Sequence, residues 1–467
     1  MRTKQEVKKL VKDFLKAQPL VKKIIHVLNQ SGGRSLLVGG SVRDLFLGAT
    51  PKDFDIEVYG LKIGQIQKIL SEFGTPLLVG KSFGVIRLSG LDVDWSVPRK
   101  DSHGRKPLVQ LNEMMDFDAA FARRDLTINA MGIDLVTGEL IDPCGGLQDL
   151  RVRRLRAPDK ELFAEDPLRF FRVMQFVGRL DGRPDKELNN VCARMDISGV
   201  SRERIEQEFK KLFLKSRRPS RGIAWLRTVG RLKEIMPEVG SLIGVKQDAV
   251  WHPEGDAYTH TLQVLDAVAQ IKTISEHEKL MLSWAALGHD TGKVSTSVAH
   301  KDGRVSAHGH ELVSVSLTKK LLKRFTRERE LVLSVCKIVR YHMLPGQFAN
   351  HDAKPAAYKR LANKLAPEVT LELLAHFACA DKRARNPRGP GPLRSGCRSE
   401  KLFTRRARYY AVLCTQEEPV LRGRDLLDVV KPGPSLGAIL KKAYTIQINE
   451  GVTSKAELKN RVLKDYN

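Results

Sequence analysis

LLVGGSVRDLFLGATPKDFDIEV, residues 36–58, holds three chemical parts in a fixed order. An apolar run, Leu36 to Val38, reads as a strand. It enters the turn Gly39-Gly40-Ser41, and a helix follows from Val42 to Leu47. Two glycines at a strand-to-helix turn let backbone N–H groups approach a phosphate, and the helix N-terminus favours its charge. Arg43 adds a cation one turn inside. Asp53 and Asp55 then alternate with Phe54 and Ile56 on what reads as the next strand, so both carboxylates share one face. Adjacent carboxylates repel unless a cation lies between them. Two Mg²⁺ ions would answer that repulsion and clamp the attacking and leaving oxygens of a phosphoryl displacement. A glycine pair or a DxD alone fits an ordinary turn or a polar strand edge. The combination GGSVRD, eight residues, then DFD is specific.

Around this stretch the texture changes four times. Residues 1–31 form a basic arm that reads as an amphipathic helix, with Val7, Leu10, Val11, Phe14 and Leu15 at helical spacing. Residues 32–155 alternate short β-branched runs with glycine turns, the pattern of a small sheet with helices. Residues 156–245 turn helical, as in EDPLRFFRVMQFVGRL and SRERIEQEFKKLFL. Residues 246–390 stay helical but gather histidines, nine of the twelve in the chain between His252 and His351. A Pro/Gly/Arg-rich loop leads into a basic helical tail, residues 391–467.

The 467 residues suffice for several domains. Eighty Lys and Arg against 54 Asp and Glu leave a net charge of +26, which points to a polyanionic partner, a nucleic acid. No run approaches the roughly 18 apolar residues of a membrane span, and the N-terminal stretch has no apolar signal-peptide core. Six scattered cysteines without a CxxC pair predict reduced thiols, a cytoplasmic location and no zinc ribbon.

The head resembles that of the class II CCA-adding enzymes and bacterial poly(A) polymerases, a branch of the DNA polymerase β-like nucleotidyltransferases. After the opening stretch the resemblance runs through RRDLTINAM (123–131), DPCGGLQDL (142–150), AEDPLRFFRVMQF (164–176) and SRERIEQEFKKL (201–212). It implies an α+β fold: a polymerase-β-like head with a mixed sheet, followed by all-helical neck, metal-binding and tail regions. By the same resemblance Asp53 and Asp55 hold Mg²⁺, Gly40 and Arg43 contact the incoming nucleotide, and Arg124, with Arg123 beside it, braces the triphosphate. Asp92 and Asp94 are open candidates for a third carboxylate; they fit a solvated strand face equally well.

In the neck, spacings of three place Glu165, Asp166, Arg169 and Arg172 near one face of a helix. Taken alone such groups read as surface ion pairs. The resemblance makes them a protein template for C and A. A carboxylate accepts from the exocyclic amine of cytosine or adenine, and a guanidinium donates to the ring edge. Uracil and guanine would leave the carboxylate facing a carbonyl. Gln175-Phe176 departs from the Arg-Phe common in the family.

His260, His289-Asp290 and Asp381 follow in the order H…HD…D within helical surroundings. Imidazoles with carboxylates suit Mg²⁺, Mn²⁺, Ni²⁺ or a similar divalent ion. WHPEGDAYTHTLQV, GHDTGK, AHGHE and ACADKRAR resemble the HD phosphohydrolase domain that some bacterial CCA-adding enzymes carry, and imply hydrolysis of phosphoesters at RNA 3′ ends. His308, His310 and His342 either complete a second metal position or line the pocket. The expected activity is addition of CCA to tRNA from CTP and ATP. CC-only or A-only addition and poly(A) synthesis are the near alternatives, and an RNA-binding HD hydrolase with an inactive head is the distant one. Neither membrane contact nor a particular oligomeric state is implied.

Overall fold

The computed structural model describes residues 1–49, 54–79, 84–101, 109–387, 389 and 391–464. It divides into two compact units, residues 1–209 with 228–230, and residues 210–227 with 231–467.

In the first unit, helix α1 (Lys4–Ala17) opens on a capping box between Thr3 and Glu6 and buries Val7, Val11 and Leu15. The arm that reads as one helix is two, because Pro19 begins α2 (Pro19–Gln30) at the position where its missing N–H costs nothing. Strand β1 (Arg34–Val38) runs into α3 (Gly40–Phe46), and β2 (Phe54–Tyr59) follows. After α4 (Ile63–Ser71) come β3 (Pro76–Val79), β4 (Val85–Leu88) and β5 (Val93–Ser96). A separate hairpin, β6 (Arg99–Asp101) with β7 (Val109–Leu111), flanks residues outside the described set. Then come α5 (Phe117–Ala122), β8 (Gly132–Asp134), β9 (Leu140–Ile141) and α6 (Gly146–Arg151).

Seven strands form one sheet in the order β3-β4-β5-β2-β1-β8-β9. Strand β2 is antiparallel to β1 and parallel to β5, so the sheet is mixed, as the α+β reading requires. The register sets Asp55 beside Asp94 and Leu36 beside Glu57. Ile56, Val58 and Trp95 are buried, and Leu36, Val38, Tyr59, Ala120, Phe121 and Ala130 form one apolar cluster. Burying such side chains stabilises the sheet by about 1.5–3 kcal/mol each, which makes it a stiff mount for Asp55 at the start of β2, its central strand.

The neck begins with α7 (Lys160–Ala164) and α8 (Leu168–Leu180). The expected single helix carrying Glu165, Asp166, Arg169 and Arg172 is interrupted: Glu165 caps the end of α7, and α8 starts after Pro167. Proline disfavours helical backbone in the residue before it, here Asp166. Arg169 and Arg172 are on α8, while Glu165 and Asp166 sit in the turn that leads to it.

The second unit is mostly helical. Asp256 caps helix Ala257–Ala269, and Ser275 with Glu278 forms a capping box for helix Glu276–Gly288. Trp284 packs edge-on against Phe213 at 5.1 Å and stacks on Phe325 at 5.2 Å, anchoring these helices. The tail closes its own small core around Leu426, Ala443, Leu458 and Val462. Among the described residues no helix is long and apolar enough to cross a membrane. Reduced thiols were expected throughout, but Cys379 and Cys397 are joined by a disulfide, with Cα atoms 5.2 Å apart. Tertiary packing of helix Leu371–Arg383 against the start of helix Arg398–Tyr409 brings them together. Cys144, Cys192, Cys336 and Cys414 take no part in a disulfide.

Candidate functional site

The head site is built on the glycine turn and β2. Gly39 has a φ of +71°, and a Cβ there would lie 2.9 Å from the Arg124 guanidinium. The positive φ calls for glycine, and a side chain there would push aside the tip of Arg124. Gly40 begins α3. Arg43 is buried rather than open: its Nε donates to Asp44 Oδ1 at 2.8 Å, its Nη1 donates to Asn129, and its guanidinium lies 5.0 Å from the Phe176 ring on α8. It therefore ties the turn to the RRDLTINAM segment and to the neck.

Asp55 is exposed at the start of β2, and Asp53 lies outside the described residues. Two positions along the same face, Glu57 accepts from Arg124 Nη2 at 2.6 Å. Arg124 thereby sits alongside the face that carries Asp55, while Arg123 is half-buried. Of the open acidic pair, Asp94 is the register partner of Asp55 and binds Arg87 through both oxygens, at 2.6 and 2.8 Å. Asp92 is exposed, and its carbonyl accepts from the Phe54 N–H at 3.3 Å.

Asp166 and Arg169 do not bond to each other through their side chains; each is held from elsewhere. Arg204 Nη2 donates to both oxygens of Asp166 at 3.2 Å, and the Leu168 N–H donates to Oδ1 at 3.1 Å. Arg169 donates to the carbonyl oxygens of Leu162 at 2.7 Å and Arg123 at 2.5 Å. Arg172 donates to Asp125 at 2.6 Å. Asp125, Asn129 and Arg204 were quoted within sequence motifs but not singled out. Only their contacts reveal that they hold the others.

Asp125 is nearly fully buried and also accepts from Asn129 at 2.9 Å. Burial works against its charge, but Arg172 and Asn129 outweigh that and hold its carboxyl at about 2. The folded value lies below the ordinary 3.8. The stabilisation is therefore complete above that pH and is lost as pH falls through the folded value. It amounts to roughly 2 kcal/mol. Asp125→Asn should lower the urea midpoint of the first unit near neutral pH, with the gap narrowing by about pH 3. An unchanged gap at both pH values would contradict the assignment.

The second unit gathers the histidines. His260 lies inside helix Ala257–Ala269, His289 and Asp290 follow helix Glu276–Gly288, and Asp381 is on helix Leu371–Arg383. The structure brings all four together and adds His310 and His342, while His308 is exposed on the cavity wall. His260 Nε2 is 2.9 Å from Asp381 Oδ1. His289 and His310 point Nε2 at the two oxygens of Asp290, each at 3.2 Å. The far nitrogens are anchored. Nδ1 of His289, His310 and His342 bonds the carbonyls of Ala286, Ala307 and Val339 at 2.7–2.9 Å. His260 Nδ1 bonds Glu254 at 2.6 Å, and His252 shares the same oxygen at 3.0 Å.

With Nδ1 donating, the Nε2 atoms of His260, His289 and His310 face carboxylates, and each such pair needs a proton or a metal cation between its atoms. Burial pulls His260 and His310 down, but Asp381 with Glu254 keeps the one, and Asp290 the other, above the usual imidazole range. Burial opposes charge on Asp290 and Asp381, but His289 and Lys293 hold the first well below the carboxylate range. Arg385 and His260 do the same for the second. Burial, with His289 and His310 nearby, pushes His342 down to about 3, so it stays neutral and able to ligate. Three triads of donor atoms lie within 4.8 Å among the described residues: His260/His289/Asp381 and Asp290/His310/His342 at the centre, and His252/Glu254/His260 beside them. A cavity of about 500 Å³ opens over them, with Lys293, Arg385 and the exposed Trp251 on its walls. The donor set fits a divalent metal centre. Glu254, His252 and Lys293 stood in the quoted motifs WHPEGD and GHDTGK, and their supporting position is visible only in the fold.

Residues 35–156 match the family model of the Poly A polymerase head domain, and residues 257–383 match that of the HD domain. The multifunctional CCA protein of Neisseria meningitidis is 34% identical over 319 residues, 67% of this chain and 73% of that protein. That of Halorhodospira halophila is 33% identical over 368 residues, 75% of this chain and 84% of that protein. Among solved structures, the Thermotoga maritima CCA-adding enzyme complexed with tRNA shares the fold at a TM-score of 0.60 and 19% identity, covering 99% of both chains. The Bacillus stearothermophilus CCA-adding enzyme in complex with CTP does so at 0.63 and 21%, covering 95% of this chain and 98% of that one.

Proposed function

The chain belongs to the family of bacterial multifunctional CCA proteins, and from that premise we propose that it adds CCA to the 3′ end of tRNA from CTP and ATP without a nucleic-acid template. The observation that carries the reading is the pair of immobilised groups at the start of α8. Asp166 is held by Arg204, and Arg169 by two backbone carbonyls. Both are fixed before a nucleotide arrives, which is what a protein needs to stand in for a template base.

In this reading Asp53 and Asp55 hold Mg²⁺, which when bound lowers the pKa of the tRNA 3′-hydroxyl and neutralises charge on the triphosphate. Gly40 lets the backbone approach the nucleotide. Arg43 supports that turn from beneath through Asp44 and Asn129. Arg124, aligned by Glu57, takes the triphosphate. Asp166 accepts from the base amine and Arg169 donates to the ring, while Arg172, tied to Asp125, sets the angle of α8.

The test is incorporation of each labelled nucleotide onto tRNA ending before CCA, after C, and after CC, with Mg²⁺. Ordered C, C, A addition that stops is the expected result. An unbounded A tail, or addition of only CC or only A, would replace the reading with the corresponding relative. In the same assay Asp166→Ala should relax discrimination against UTP and GTP by about 10²-fold. Unchanged selectivity would remove Asp166 from the template.

For the second unit we propose a phosphodiester hydrolase acting on RNA 3′ ends. His260, His289, Asp290 and Asp381 hold a divalent ion, Mg²⁺, Mn²⁺ or Ni²⁺, and His310 and His342 complete a second position with Asp290. The bound ion would supply a hydroxide nucleophile near neutral pH. Glu254 orients His260, and the backbone carbonyls orient the other three imidazoles. Lys293, 2.8 Å from Asp290, holds that carboxylate from the cavity side.

A further inference from the structure

The N-terminal arm precedes the matched head region, yet it holds the end of α3 and the start of β2. At the end of α3, the Arg2 N–H donates to the Phe46 carbonyl at 2.9 Å. Its Nη1 reaches the Leu45 carbonyl at 3.2 Å and that of Ala49 at 3.4 Å. These carbonyls belong to the last turn of α3 and the residues after it, where a helix leaves acceptors unpaired and favours a cation. At the start of β2, the Phe14 ring stacks on the Phe54 ring, with centroids 3.7 Å apart and planes 15° from parallel. Phe54 stands between Asp53 and Asp55 in sequence. Period two places it with Ile56 and Val58 on the face of β2 opposite Asp55 and Glu57. Phe14 is on helix α1 and Arg2 lies just before its Thr3 N-cap; that helix is fixed by the Thr3–Glu6 capping box and by buried Val7, Val11 and Leu15.

We propose that the N-terminal arm is part of the nucleotidyl-transfer site, with Phe14 and Arg2 as positioning residues for the end of α3 and for the start of β2, which carries Asp55. The inference rests on the reading that Asp53 and Asp55 hold the metal. Carboxylates that share metal ions must keep their separation to a fraction of an ångström. A misplacement of about 1 Å at a reacting centre can cost about 10²-fold in rate. The arm supplies two anchors, one to the α3 carbonyls and one to the ring of Phe54, the neighbour of Asp55 at the start of β2. Phe14 is half-buried, so a ring-to-leucine change removes stacking while leaving an apolar side chain over Phe54.

The experiment compares the full chain with Phe14→Leu, Phe14→Tyr and Arg2→Ala. For Phe14→Leu the expected result is a fall of about tenfold or more in kcat for CTP addition, with a similar rise in the Mg²⁺ needed for half-maximal rate. Mn²⁺ binding without tRNA or nucleotide, read by paramagnetic resonance in an Asp290→Asn background to silence the second site, should weaken in parallel. The affinity for tRNA, the melting temperature and phosphodiester hydrolysis should stay at the parent level, and Phe14→Tyr should restore the Mg²⁺ response. Arg2→Ala, at the other anchor, should shift the Mg²⁺ response in the same direction. A parent-like Phe14→Leu overturns the proposal. So does a loss that spreads to tRNA affinity and melting, or one that tyrosine does not rescue. If the parent chain itself adds no nucleotide, the transferase reading falls; if it does and the variants match it, only the arm inference falls.

Discussion

Asp55→Ala is expected to abolish incorporation of CTP and ATP, by about 10³-fold or more, while phosphodiester hydrolysis continues at the parent rate. A bound metal supplies several kcal/mol of charge stabilisation to a displacement at phosphorus, and each 1.36 kcal/mol is a factor of ten. Asp55 is at the exposed end of β2, and the strand beneath it is packed through Ile56 and Val58. Alanine at an exposed strand position costs little stability. The loss should therefore fall on kcat, with circular dichroism and tRNA affinity unchanged. Asp94, its register partner, is engaged by Arg87 and does not substitute for it. Residual incorporation within tenfold of the parent would mean that the carboxylates of β2 do not carry the metal, and the transferase reading would lose its centre.

The opposite pattern is expected of Asp290→Asn. This carboxylate meets His289, His310 and Lys293 at 2.8–3.2 Å and is shared by both proposed metal positions. An amide of the same shape keeps the volume but brings an N–H₂ toward imidazole or ammonium donors and removes the negative charge that a divalent ion requires. Metal content per chain should fall, and hydrolysis of a phosphodiester should drop by about 10³-fold or more. Ordered C, C, A addition should persist. Asparagine leaves Lys293 buried with less compensation, so a modest loss in melting temperature accompanies the change. Hydrolysis at the parent rate would remove the HD cluster from catalysis. Loss of both activities together would show that the variant acts on folding, and His289→Gln would then replace it as the probe of hydrolysis.

Much of this was legible in the chain alone because it is local. The glycine turn declares itself, since Gly39 needs a positive φ and Gly40 opens a helix, and the alternation of Phe54, Asp55 and Ile56 states which face is polar. Period-two and helical patterns depend on neighbours a few residues apart, and the mixed sheet and the helical regions form as those patterns predict, except where Pro19 and Pro167 divide helices. The boundary at Pro167 was also written in the sequence. Spacing alone placed Glu165 and Asp166 on the helix, but proline decides the backbone before it.

Partnerships between distant residues were another matter. The resemblance makes Arg43 a nucleotide contact; its ties to Asp44 and Asn129 and its place against the Phe176 ring come only from packing. The holders of Asp166 and Arg169, the proposed template pair, are Arg204 and the carbonyls of Leu162 and Arg123, which come from three segments. His310 and His342 could not be told from His308 by sequence. What separates them is burial and the anchoring of Nδ1, and only the fold supplies those. The sequence by itself determined the residue types, the order of the motifs and the local elements, because propensity and periodicity act over a few residues. Tertiary structure alone decided which charges meet, which nitrogen of each histidine faces inward and what the N-terminal arm touches. Those depend on contacts between residues tens to hundreds of positions apart, and no local rule encodes them.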